Sequence, residues 1–365
     1  MSIFDEYIKD GNPSQKEKSY AWKTAIGLQD VDGLKPSEYL VQTAKQNIEG
    51  DITIDKAKQL IDSYYKSASN RHDVENDRTE EADKVSARIA EILSEQTFNF
   101  SPAQLASIHR RLFEGIYKLA GRFRDYNITK NEWVLGGETV YYASFDTISE
   151  TLEYDMRTER EFSYAGMPLD EAIRHLMRFC ANLWQIHAFC EGNTRTTAVF
   201  MIKYLKTLGF NVVNDMFAQN SWYFRNALVR ANYSNLQKGI TETTVYLERF
   251  FRSMLLGEEH SFRNRELHIE WKGGTEADTV QSANETVQSA NSALYLSPKG
   301  QNCTLEEVAV LRVVQMKPTA TQKEIAAEIG KSERTVKSLT VALQGKGILK
   351  RTGSKRDGKW EIVKD

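Results

Sequence analysis

Cysteine is scarce in this 365-residue chain. Cys180, Cys190 and Cys303 are its only three, and none forms a C-x-x-C pair. A disulfide framework and a cysteine zinc ribbon are thereby excluded, and the usage fits a reducing compartment, the cytoplasm. Long apolar runs are also missing. No stretch approaches the ~20 apolar residues of a membrane span, and the opening MSIFDEYIKDG lacks the basic and apolar regions of a signal peptide, so no membrane partner is expected. A net charge of −2 gives no global attraction to nucleic acid, so any such contact must sit on a local patch. What remains is ordinary for a soluble globular protein, 41% hydrophobic and 27% charged, with a length that suits two or three domains.

Helical periodicity dominates. From Ser14 to Leu93 the chain is polar, and Ile54, Ala57, Leu60, Ile61 and Tyr64 share one helix face. The charged run Arg78–Lys84 (RTEEADK) reads as a solvated face or loop rather than a site. Residues 102–120 carry Leu105, Ile108, Leu112, Ile116 and Leu119 at helical spacing, with Pro102 near the start. Residues 168–186 and 194–208 are two further amphipathic helices, the second closing at Gly209. Helices around Ser221–Tyr233 and Glu242–Leu256 follow. Between the helices of 102–120 and 168–186, Val134 and Leu135, Gly136-Gly137, then Val140, Tyr141 and Tyr142 predict a β-hairpin. The string TVQSAN occurs twice, at Thr279–Asn284 and Thr286–Asn291, within a Gly/Ser/Asn/Thr-rich stretch that reads as a linker. The predicted layout is a helical N-terminal region (1–94), a central domain (95–270), a linker (271–296) and a C-terminal unit (297–365).

The informative stretch is Gln185–Thr197, QIHAFCEGNTRTT, wedged between two helices. Unpaired N–H groups and partial positive charge at the second helix's start make an anion site, and Arg195 adds a planar fork for phosphate oxygens. Glu191 is a hard oxygen ligand suited to Mg²⁺, which binds through one or two carboxylates plus substrate phosphates. His187 titrates near neutrality and can take a proton from a hydroxyl. Phe189 would anchor the loop in the core. Residue by residue, a His before a helix and a Glu-Gly-Asn turn also serve as plain cap and turn.

As a pattern, His187, Phe189, Glu191, Gly192, Asn193 and Arg195 match H-x-F-x-[DE]-G-N-x-R in register, and here the chain resembles the Fic family. The hairpin sits where that family keeps its flap, Leu112–Ile128 looks like its I-Y-x-x-A-G-x-x-R segment, and Ser221–Tyr233 resembles the helix that helps to enclose the nucleotide base. The resemblance implies a mainly α, Fic-type helical bundle with a β-hairpin flap. It implies transfer of AMP from ATP to a protein hydroxyl. His187 would be the base and Glu191 the Mg²⁺ ligand, with Ala188, Phe189, Cys190, Glu191, Gly192, Asn193, Thr194, Arg195 and Tyr223 around the nucleotide. A target protein would dock along Val134–Phe145. The chain departs from the pattern at three places. Ala188 replaces the usual Pro. Thr194 replaces the usual Gly, which keeps phosphate transfer as an alternative. Ala198 stands where many members carry a second phosphate-binding Arg.

Family members often carry an inhibitory helix, [ST]-x-x-x-E-[GN]. Ala44–Ile52 (AKQNIEGDI) supplies Glu49-Gly50, with Lys45 at the Ser/Thr position, so Glu49 is the candidate inhibitory carboxylate. At the other end, Leu305–Gln315, Gln322–Ile329 and Glu333–Leu343 predict three helices, followed by Ile348–Lys350 and Trp360–Val363 around a basic turn. This resembles a winged helix-turn-helix with a DNA or protein partner. Residues 301–365 hold 13 Lys/Arg against 8 Asp/Glu, net +5, which leaves −7 for the remainder. Arg334, Lys337, Lys350, Arg351, Lys355, Arg356 and Lys359 are the candidate phosphate contacts. A nucleotide-sensing DNA-binding regulator is the alternative from outside the enzymes.

Overall fold

Capping chemistry sets many of the helix starts. The computed structural model describes residues 3–67, 74–210, 212, 216–271, 303–353 and 358–363, with backbone alone at 74–77. Helix α1 (Asp5–Asp10) leads to α2 (Pro13–Gly27), which begins with an Asn12/Gln15 capping box and Pro13 in its first turn. α3 (Glu38–Glu49) is capped by Ser37 and ends at Gly50 in the left-handed conformation that glycine tolerates best. α4 (Ile54–Ser67) buries Ala57 and Ile61, and α5 (Val74–Ser94) is the long helix against which α2 and α4 pack.

α6 (Pro102–Phe113), capped by Ser101, stops well short of residue 120, because Glu114 is no longer helical and Gly115 adopts φ +74°. α7 (Ile148–Glu161), α8 (Leu169–Ile186), α9 (Asn193–Thr207), α10 (Met216–Ala231, kinked at Asn220) and α11 (Val245–Leu256) complete the central bundle. Lys203 and Lys206 of α9 donate to the carbonyls of Ile92, Leu93 and Glu95, which satisfies the C-terminal end of α5 and fastens the N-terminal region to the bundle. Burial pulls the pKa of Lys203 down to about 8.

The expected hairpin is absent. Over residues 131–145 the chain forms a 3-10 turn, Trp133–Leu135, and then an irregular extended segment with no strand ladder. Val134, Leu135 and Val140 are all buried. They peg the segment to the core individually, and Gly136 and Gly137, at φ +62° and +91°, turn the chain without bringing two strands into register. Among the described residues the backbone N–H groups of Thr139 through Ala143 donate to no backbone carbonyl, while the Tyr141 and Ala143 carbonyls accept from Gln185 and Arg124.

The C-terminal unit comprises α12 (Leu305–Met316), α13 (Gln322–Ile329) and α14 (Glu333–Gly345). Capping boxes start the first two, and Ser332 caps the third. Strands β1 (Leu349–Thr352) and β2 (Lys359–Ile362) pair antiparallel, with Arg351 opposite Trp360. The unit packs on the bundle: the Leu169 N–H donates to Cys303 O at 3.0 Å, and Arg312 lies over the Phe210 ring while donating to Leu255 O. Both TVQSAN strings, and Lys355 and Arg356, lie outside the described residues.

Candidate active site

The loop between α8 and α9 is held almost entirely by its backbone. At the end of α8, His187 adopts φ +49°, an uncommon conformation for a non-glycine residue. Arg124, buried beneath it, donates through Nε to His187 O at 2.8 Å, and its other nitrogens reach the carbonyls of Ile186, Tyr126 and Ala143. The Arg124 N–H takes Ala188 O at 2.9 Å. Asn193 closes the turn from the other side: its Nδ2 donates to Phe189 O at 2.6 Å, and its Oδ1 accepts from Phe189 N–H at 2.9 Å. Gly192 has φ +72°, and a Cβ there would fall 2.4 Å from Phe113. Phe189 is buried as expected and stacks on His109 at 3.7 Å.

His109 is a site residue that periodicity conceals, since on the sequence it is one more position in an amphipathic helix. Its Nδ1 accepts from Gly121 N–H at 2.8 Å, so Nε2 carries the proton and donates to Glu191 O at 3.0 Å. Burial lowers its pKa to about 4, which keeps this tautomer in place at neutral pH.

His187 is 6% exposed, its ring stacked on Tyr142 at 4.0 Å, and its buried Nδ1 has no hydrogen-bond partner. Burial holds the imidazole well below its ordinary range, and Lys130, Arg225 and Arg124 add to the effect. The ring is therefore neutral, with a nitrogen lone pair free to take a proton. Tyr142 leads through Glu132, whose carboxylate is buried on Arg225 at 2.7 Å, so the segment over His187 is pinned to α10. Among the described residues the N–H groups of Cys190 through Thr194 donate to no backbone carbonyl, which leaves them available to an anion at the start of α9. Glu191 projects outward, and both its oxygens bind the Lys130 ammonium at 2.8 Å. A hard, exposed carboxylate that already takes a cation fits Mg²⁺ held jointly with phosphates. Among the described residues no group of three or more His, Cys, Asp or Glu could cage a metal by itself.

Arg195 departs from the free phosphate fork that its position suggests. It is fully buried over Phe113, and it binds Asp32 at 2.9 Å, Glu81 at 2.6 Å, the Tyr117 hydroxyl at 2.8 Å and Gln29 at 3.0 Å. Two carboxylates from the N-terminal region thus neutralise it. The reading of Arg78–Lys84 as a solvated face or loop fails at Glu81, which turns onto Arg195, and at Ala82 and Asp83, which are buried, Asp83 accepting from Ser37 and Tyr65. A charged run on one helix has both an outer and an inner face, and composition cannot tell them apart. Glu49 does not join the site. It is exposed at the end of α3 and accepts from Tyr7. Tyr223 is buried in the core, its ring against Phe262. Thr194 turns inward to accept from Trp184 at 2.9 Å, and Ala198 is buried in α9.

Residues 99–205 match the sequence model of the Fic/DOC family. That segment is similar to a Fic/DOC domain. Within it fall the whole His187–Arg195 loop, Arg124, His109 and Tyr117, so the Fic signature and its supporting residues lie in one matched segment. The chain is 22% identical over 217 residues, 58% of its length, to the protein adenylyltransferase VbhT of Bartonella schoenbuchensis, and it spans 42% of that protein. It also aligns with the crystal structure of a Fic family protein from Desulfovibrio desulfuricans G20, at 10% identity, TM-score 0.42, covering all of this chain and 93% of that one. Asp32 and Glu81, the two carboxylates on Arg195, lie outside the matched segment. Only their approach in three dimensions identifies them. Among the described residues no helix is long and apolar enough to cross a membrane.

Proposed function

We propose that the chain transfers AMP from ATP to a hydroxyl of a target protein. The observation that carries this reading is His187: a neutral, buried imidazole with an unpartnered Nδ1, on the same loop as the Glu191 carboxylate and five backbone N–H groups that have no backbone acceptor among the described residues. His187 accepts the hydroxyl proton. The hydroxyl oxygen forms a bond to the α-phosphorus, the bond from that phosphorus to the bridging oxygen breaks, and pyrophosphate leaves. The loop amides meet the charge that develops on the phosphoryl oxygens, and such chemistry is mostly positioning and electrostatics. Glu191 would hold Mg²⁺, whose charge neutralises the phosphates. Lys130 then gives up that carboxylate.

The conformation described supports a self-restrained state. Asp32 and Glu81 occupy the guanidinium that should meet phosphate oxygens, and two anionic groups there repel a third. Labelling with α-³²P-ATP against γ-³²P-ATP, in the presence of Mg²⁺, tests the reading. Label from the α position that is lost in His187→Ala supports AMP transfer, and label from the γ position alone overturns it.

A partner role for the C-terminal unit rests on a separate observation. Arg334 and Lys337 on α14 and Lys350 on β1 are exposed and make no ion pair among the described residues. On a winged helix-turn-helix reading they face a phosphate backbone. Duplex DNA binding that weakens steeply between low and physiological salt supports this role, and binding that ignores salt removes it.

A further inference from the structure

The segment Glu138–Ala143 alternates. Val140 is buried, and Tyr142 covers His187, whereas Tyr141 points the other way and is 82% exposed. On that outer side lies a cleft of 550 Å³ that AMP transfer does not use, lined by Thr129, Asn131, Glu138, Tyr141, Tyr233 and Asn235, among others. Its far wall is the Tyr233–Lys238 turn, where Leu236 stands 84% exposed.

Glu138 is the single charged residue of the lining. Its carboxylate accepts from the Tyr233 hydroxyl, from Asn235 at 3.2 Å and from the Lys238 ammonium, and these bonds pull its pKa down to about 2. The cleft is therefore an ionised carboxylate beside an open aromatic face, surrounded by amide and hydroxyl oxygens. The cation it already holds, Lys238, comes from outside the lining on a side chain that is 56% exposed.

A target strand added along Thr139–Ala143, where the backbone N–H groups have no backbone acceptor, alternates in the same sense as that segment. When one of its side chains faces His187, the neighbours on either side face outward, toward the cleft. We propose that this cleft is a subsite for a basic side chain, arginine or lysine, directly adjacent to the acceptor hydroxyl of the target, an inference that rests on the AMP-transfer reading above. The guanidinium or ammonium lies over the Tyr141 ring and donates to Glu138 and to the Asn131 and Asn235 side-chain oxygens. It replaces the Lys238 ammonium, which swings into water; an exposed ion pair of this kind holds weakly.

The test uses the full-length chain and short fluorescein-labelled peptides centred on Ser, Thr or Tyr, each made with Arg or with Ala on both sides of the hydroxyl. Fluorescence anisotropy without ATP should show about tenfold tighter binding of the Arg-flanked peptides. That preference should collapse in Glu138→Gln and in Tyr141→Ala. Tyr141 is too exposed for its loss to unfold the chain, and circular dichroism checks both variants. Equal affinity for the two peptide sets, or a preference that survives both variants, overturns the subsite. The same peptides are then offered α-³²P-ATP with wild type and Glu81→Gln. Preferential binding without label in any peptide would refute AMP transfer and leave the basic subsite standing. Label without preference would do the reverse.

Discussion

Replacing Glu81 by Gln separates the charge on Arg195 from its shape. Arg195 is fully buried, and its four polar partners are Asp32, Glu81, Tyr117 and Gln29, with Glu81 the closest at 2.6 Å. A glutamine of the same length keeps a hydrogen bond to the guanidinium and to the Tyr117 hydroxyl, so the core around Phe113 stays filled. What disappears is one negative charge. A hydrogen bond to a charged group contributes about 1.5–3 kcal/mol against about 1 for a neutral one, so the clamp weakens by about 0.5–2 kcal/mol. At about 1.4 kcal/mol per factor of ten, apparent ATP affinity should rise roughly 2- to 30-fold if Arg195 must leave its carboxylates to meet phosphate. The assay is initial-rate transfer of label from α-³²P-ATP over a range of ATP concentrations, with Glu49→Gly as the comparison. KM for ATP should fall in Glu81→Gln and stay at the wild-type value in Glu49→Gly, since Glu49 touches Tyr7 and not the loop. An unchanged KM in Glu81→Gln, or a fall in Glu49→Gly alone, would refute the reasoning.

Further expectations follow from the same geometry. His187→Ala should lower the transfer rate by roughly 10²- to 10⁴-fold, the usual contribution of a positioned base, without loss of folding in thermal melts. His109 is buried neutral with its pKa lowered to about 4 against 6.5, so the unfolded chain binds its proton first. Stability is complete above about pH 6.5, falls as the pH drops, and is lower by about 3 kcal/mol near pH 4, from roughly 1.4 kcal/mol per unit. Urea melts of wild type and His109→Phe at pH 7 and 4.5 check this, and parallel losses in the two would disprove it. Gly192→Ala should destabilise by roughly 2 kcal/mol or more, because it combines a positive φ with a 2.4 Å approach to Phe113. A shift in denaturation midpoint of less than half that size would show that the loop relaxes around the methyl.

Much of this protein was settled by local pattern. Apolar spacing located α8 and α9 to within a residue or two, and capping residues with left-handed glycines marked many of the ends, because those signals act within one or two turns of chain. The loop itself was legible for the same reason: His187, Glu191, Asn193 and Arg195 are neighbours in sequence, and the Fic signature is a short-range pattern. Residue type and spacing also defined the three C-terminal helices and their basic excess. The tertiary structure decided everything that depends on which face meets which. It turned Glu81 of a charged run inward onto Arg195, brought in Asp32 from far upstream, left Glu49 on Tyr7, buried Tyr223 against Phe262 and made His109 a strut beneath Glu191. It also dissolved the expected hairpin, since three separately buried side chains stabilise that segment better than a two-stranded ribbon with little to cover it. A carboxylate's partner is set by packing across more than a hundred residues of chain, and no local rule carries that distance.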